Sequence, residues 1–145
     1  MAYWLVKSEP EAWSWERHAA AGVEPWDGVR NHQANNNMKA MAASDQALFY
    51  HSGRDKSIRG VLEVVRKWYP DPQDASGRFG MVDFKALFPL PRPVPLAEVK
   101  AEPRLAHIAL VKHTRLSVMP IDDNAWRLLC RMGGVEDTDE GSGAS

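Results

Sequence analysis

Trp26-Asp27-Gly28-Val29-Arg30-Asn31 combines a large flat ring, a turn and a helix start in one short run. Asp-Gly is a strong turn signal, because glycine accepts the positive φ that other residues resist. Asn31 is a good helix N-cap, since its side-chain oxygen accepts from the free N–H groups of the next turn. The chain is therefore predicted to bend at Asp27-Gly28 and to enter a helix after Asn31. Trp26 and Arg30 then lie near a helix start, where backbone donors point outward. A flat apolar face beside a cation and spare donors suits a planar, polar-edged ligand such as a nucleobase on its phosphate backbone. The plainer reading makes Trp26 core and Arg30 surface.

Outward from this elbow, His32 to Ala43 reads as a helix, with Ala34, Met38, Met41 and Ala42 at helical spacing and Gln33, Asn36, Asn37 and Lys39 opposite. The asparagines are unusual in a helix; they are either solvated or touch phosphates and base edges. Upstream, Tyr3 to Lys7 reads as a strand stopped by Ser8-Glu9-Pro10. Glu11 to Ala21 reads as a helix turning Trp13 to the core. Downstream, Ala47 to His51, Ile58 to Tyr69 and Met81 to Leu87 read as strands, with Arg54 to Ser57 a charged turn. Pro89, Pro91, Pro93 and Pro95 read as an extended connector. Leu96 to Lys100 reads as a helical turn, and Leu105 to Leu110 as either helix or loop. Val111 to Val118 reads as the last strand. Asp122 and Asp123 cap a final helix that buries Trp126, Leu129, Cys130 and Gly133. About five strands in mixed order with helices predict an α+β fold, a small mixed barrel with flanking helices.

At 145 residues one domain is expected, residues 1–134, followed by an acidic, Gly/Ser-rich tail, 135–145, predicted to be disordered. The net charge of −1 hides a mildly basic body, because Glu136, Asp137, Asp139 and Glu140 lie in that tail. No window is apolar enough for a membrane span, and the N-terminus lacks the pattern of a signal peptide. A single cysteine excludes an internal disulfide framework, so a reducing, cytoplasmic location is expected.

No Gly-rich phosphate loop, nucleophile elbow or metal-spaced His/Cys set is present, so neither a metal nor a cofactor is expected. What accumulates is polar residues at strand ends and turns: Lys7-Ser8, Trp26 with Arg30-Asn31, and His51-Ser52. In a small barrel these would converge on one mouth. A carboxylate such as Asp83 would be the natural catalytic group if the chain were instead an enzyme acting on a modified nucleoside or small metabolite. A third reading makes the proline connector a protein-docking segment.

Tyr3 to Pro10, Trp26 to Asn31 and Phe49-Tyr50-His51-Ser52 resemble, in order, the signature blocks of the EVE domain, as do Tyr69-Pro70-Asp71, Met81-Val82-Asp83 and Arg115-Leu116-Ser117. The resemblance spans the body up to the acidic tail. It implies a PUA-like fold, similar to the YTH domains that hold a methylated adenine in an aromatic cage. It also implies a non-catalytic module that reads a modified base, such as methylated or hydroxymethylated cytosine, in DNA or RNA; a monomer is expected, though the sequence does not fix the oligomeric state. Carried over residue by residue, the pocket would use Lys7, Ser8, Trp26, Val29, Arg30, Asn31, His51, Ser52, Asp83 and Ser117. Lys7, Arg30, Lys39 and Arg54 are the candidates for phosphate. Two positions depart from the pattern: His32 stands where the family often has Tyr, and Asn35 where an Arg is expected.

Overall fold

The computed structural model describes residues 1–136. Six strands, β1 (Tyr3–Ser8), β2 (Val23–Pro25), β3 (Gln46–His51), β4 (Ser57–Pro70), β5 (Gly80–Pro95) and β6 (Val118–Ile121), form one sheet in the order β2-β5-β4-β3-β1-β6. β1 runs parallel to β3, and every other ladder is antiparallel. Around it lie α1 (Trp15–Ala21), α2 (His32–Lys39), α3 (Leu96–Ala101), α4 (Ala109–Lys112) and α5 (Asp123–Met132). The α+β class is as expected, but the predicted barrel does not close. β2 and β6 remain as edges, because one is only three residues long and ends in Pro25, which has no N–H to donate. The curl comes instead from repeated register shifts between β4 and β5, since each bulge increases local twist.

β3 is buried along Ala47 to His51, and with Leu5, Val6, Val61, Leu62 and Phe84 it makes the centre of the core. Each such apolar side chain contributes about 1.5–3 kcal/mol by leaving water. α5 closes one end through Trp126, whose ring stacks on Tyr3 at 4.3 Å between centroids. Cys130 lies beside it, and burial pushes its thiol up to about 12.

Four predicted boundaries move. α1 begins only at Trp15, because the Ser14 hydroxyl caps it by accepting from the Arg17 N–H; Trp15 rather than Trp13 is then the buried indole. α2 stops at Lys39. The proline segment belongs to β5: the ladder jumps from Gly60–Pro89 to Ile58–Val94, and the prolines sit in and around that bulge, where no regular ladder N–H is required. The stretch expected as the last strand instead holds α4 and a loop, and β6 follows it with Pro120 on the sheet edge. No described helix is long and apolar enough to cross a membrane. The expected disordered tail lies, from residue 137, outside the described residues.

Candidate functional site

Three segments meet beside the end of β1. They are Lys7-Ser8 themselves, the turn carrying Ala12 and Trp13, and the elbow from Glu24 to Asn31; Ser117, before β6, completes the ring. Together they line a cavity of about 510 Å³. The elbow is built as its residues suggest. The Trp26 N–H donates to the Val82 carbonyl at 2.7 Å, fixing the ring's origin on β5. Gly28 turns the chain at φ +78°, and Asn31 caps α2 by accepting from the Ala34 N–H at 2.8 Å. Asp71, nearly fully buried, ties the elbow down by accepting from the Gly28 N–H at 3.0 Å and from Arg30 Nη1 at 3.2 Å. Burial pushes the Asp71 carboxyl up, but the N–H groups of Gln73 and Gly28 and the Arg30 guanidinium outweigh this and hold it below the usual range.

Trp26 is not an open platform. It is 7% exposed, set at near right angles to Phe49 and Phe84 with centroids 5.2 and 5.8 Å away, so it forms a firm wall of the cavity. A second indole, half-buried Trp13, also lines it, and its Nε1–H donates to His18 Nδ1 at 3.1 Å. The helix expected over this segment hid Trp13; Ser14 as an N-cap was the signal that places it outside α1. Two carboxylates, Glu24 and Asp27, share the lining with the cations. Lys7 is half-buried, which lowers its pKa, and its Nζ donates to the Thr114 carbonyl at 3.0 Å.

The structure thus brings together Lys7, Ser8, Trp26, Val29, Arg30, Asn31 and Ser117. Ser52 lies next door, its N–H donating to the Ser8 carbonyl at 3.0 Å, in an adjoining cavity. His51 is behind the wall instead of on it. Its Nε2 accepts from the Trp15 N–H at 2.9 Å and its Nδ1 faces Asp55 at 2.6 Å, so it anchors the start of α1. Burial raises Asp55, but donors from Arg59, His51 and Ser57 prevail and keep its carboxyl low. Asp83 also leaves the lining and accepts from the Tyr69 hydroxyl; burial, followed by this bond and the Asp83 charge, pushes the phenol up to about 12. Lys39 lies over the Trp68 ring at 4.7 Å, and Arg54 is exposed outside the cavity. Asn35 is buried and structural: its Oδ1 accepts from Trp68 Nε1 and the Gly80 N–H, and its Nδ2 donates to the Arg78 carbonyl. Asn37 likewise donates to the Val118 carbonyl.

The family model of the EVE domain matches residues 2–132. This chain belongs to the EVE domain family. Thymocyte nuclear protein 1 of Mus musculus is 32% identical over 168 residues, covering 92% of this chain and 74% of its own. Among solved EVE-like structures, Rpa0253 from Rhodopseudomonas palustris is 56% identical, with a TM-score of 0.88 over 92% of this chain and 94% of that one. Human THYN1, solved in complex with 5-methylcytosine containing DNA, is 29% identical, with a TM-score of 0.86 over 94% of this chain and 99% of that one. The EVE fold therefore accounts for the whole sheet and its elbow.

Proposed function

We propose that this EVE domain binds nucleic acid without catalysis and holds one modified base, taken out of its stack, in the cavity between Trp13 and Trp26. The observation that carries this is the lining itself. Two indoles supply flat apolar surface, while Ser8, Asn31, Glu24 and Asp27 offer hydrogen-bonding groups at the rim. Carboxylates and amide oxygens accept from an exocyclic amino group, as on cytosine. The cavity volume suits a single base with its sugar. The 5-methylcytosine DNA bound by human THYN1 supports the same class of ligand.

Extruding an unpaired base costs less than extruding a paired one, and stacking on an indole returns about 1–3 kcal/mol. A methyl group filling an apolar corner adds about 1–3 kcal/mol, so discrimination of about ten- to two-hundred-fold is expected. The test titrates single-stranded oligonucleotides with one 5-methylcytosine or one cytosine against wild type, Trp13→Ala and Trp26→Ala, with thermal melting to confirm folding. Folded variants that bind as tightly as wild type would sink the reading.

A further inference from the structure

A second cavity of about 480 Å³ adjoins the first and shares Lys7, Ser8 and Ser117 with it. Its character is different. The first cavity sets Glu24 and Asp27 against Lys7 and Arg30, and both of those cations are already engaged, on the Thr114 carbonyl and on Asp71. The second adds Lys56, Lys100 and Arg115 to Lys7, with Glu9 as its one carboxylate. None of these three added side chains has a hydrogen-bond or ion-pair partner among the described residues. Arg115 also lines a shallower depression that reaches Asn31 at the first cavity's rim.

Unpaired cations around a concave, solvent-open surface raise the local potential and attract anions. In the first cavity Glu24 and Asp27 offset the charge of Lys7 and Arg30, so that attraction is lacking there. Lys56 moreover keeps a left-handed backbone, φ +46°, uncommon for a residue with a long side chain. We infer that the second cavity seats the phosphodiester that flanks the base held in the first, through Lys56, Lys100 and Arg115. Lys39 and Arg54, the cations singled out in the sequence, are not part of that seat. This rests on the base-binding reading above and gives the strand a direction: base between the indoles, backbone over Ser8 and Ser117 toward the α3 side.

The experiment compares wild type with Lys56→Asn/Lys100→Ala/Arg115→Ala, and with Lys39→Ala/Arg54→Ala. Asparagine is chosen at position 56 because it tolerates positive φ. Binding of a single-stranded 5-methylcytosine oligonucleotide is followed from low to moderate salt, and binding of the nucleoside 5-methyldeoxycytidine by tryptophan fluorescence. The expected result is a log–log salt slope shallower by about 0.7 in the triple variant, the figure for one lost phosphate contact on a single strand. Nucleoside affinity stays at the wild-type value, and the Lys39/Arg54 variant keeps the full slope. A triple variant with an unchanged slope overturns the phosphate seat, as does a slope lost in the Lys39/Arg54 variant. If the slope falls as expected while Trp13→Ala and Trp26→Ala bind normally, the seat stands and the base pocket fails.

Discussion

The Trp13 indole N–H donates to Nδ1 of His18, whose Nε2 lies 2.8 Å from the Phe84 carbonyl. A carbonyl only accepts, so Nε2 carries the proton and Nδ1 is the free acceptor. The buried, neutral ring of His18 thereby holds one wall of the cavity in place. Burial lowers the pKa of His18, against the Phe84 carbonyl and Glu24, which raise it.

Acidification should therefore loosen that wall. The folded pKa lies below the unfolded value of 6.5, so the neutral ring's contribution is complete above about pH 6.5 and is lost as pH falls from there toward the folded value. Below that window a proton on Nδ1 would confront the indole N–H. Melting temperature and nucleoside affinity are expected to drop together across this range in wild type, with a smaller drop in His18→Gln. Superimposable pH profiles would refute the coupling.

Asn35→Ala is expected to cost about 2–3 kcal/mol, because the buried Gly80 N–H and the part-buried Trp68 Nε1 would each lose their acceptor. Urea denaturation measures this directly. An effect no larger than that of a surface substitution would mean the three bonds are replaced by water.

Two glycines should respond differently to alanine. A Cβ at Gly80 would sit 2.2 Å from the Trp68 ring and 2.4 Å from the Tyr69 carbonyl oxygen, whereas one at Gly28 meets nothing within 4 Å but must adopt φ +78°. Gly28→Ala should cost about 1–2 kcal/mol in backbone strain, and Gly80→Ala more, since backbone cannot yield as a side chain does. Equilibrium unfolding of the pair tests the order.

Asp71→Ala removes the acceptor for the Gly28 N–H and the partner of Arg30. It should destabilise by about 1–3 kcal/mol and weaken nucleoside binding, because Val29, Arg30 and Asn31 share that tether. In wild type the Asp71 contribution is present above the unfolded carboxylate value of 3.8, and it is lost only as pH falls through the lower folded value. The defect of Asp71→Ala should thus shrink in strong acid, as melting curves will show.

Local signals were strong wherever they depended on neighbours in sequence. The Asn31 and Asp122 caps are each satisfied within three residues, and the turn at Asp27-Gly28 rests on the positive φ that Gly28 itself accepts. The apolar runs in β1, β3 and β4 mark their strands by composition. The ordered blocks from Tyr3 to Ser117 also carried the family. β2 was invisible because three residues have no period and pair only through β5, which lies about sixty residues away. The prolines of β5 misled because a bulge, not the sequence, decides which N–H groups a ladder needs.

The residue types needed for the proposed base pocket were thus set by the chain alone, as were its elbow and the Asn31 cap that follows it. The tertiary structure decided which of them face the cavity. It turned His51 inward to hold the Trp15 amide, gave Asp83 to Tyr69 and brought Trp13 to the lining. It also left Lys56, Lys100 and Arg115 without an ion-pair partner among the described residues, around one hollow. The reason is that hydrogen bonds and ion pairs between distant segments are settled by competition among partners that only folding brings within reach.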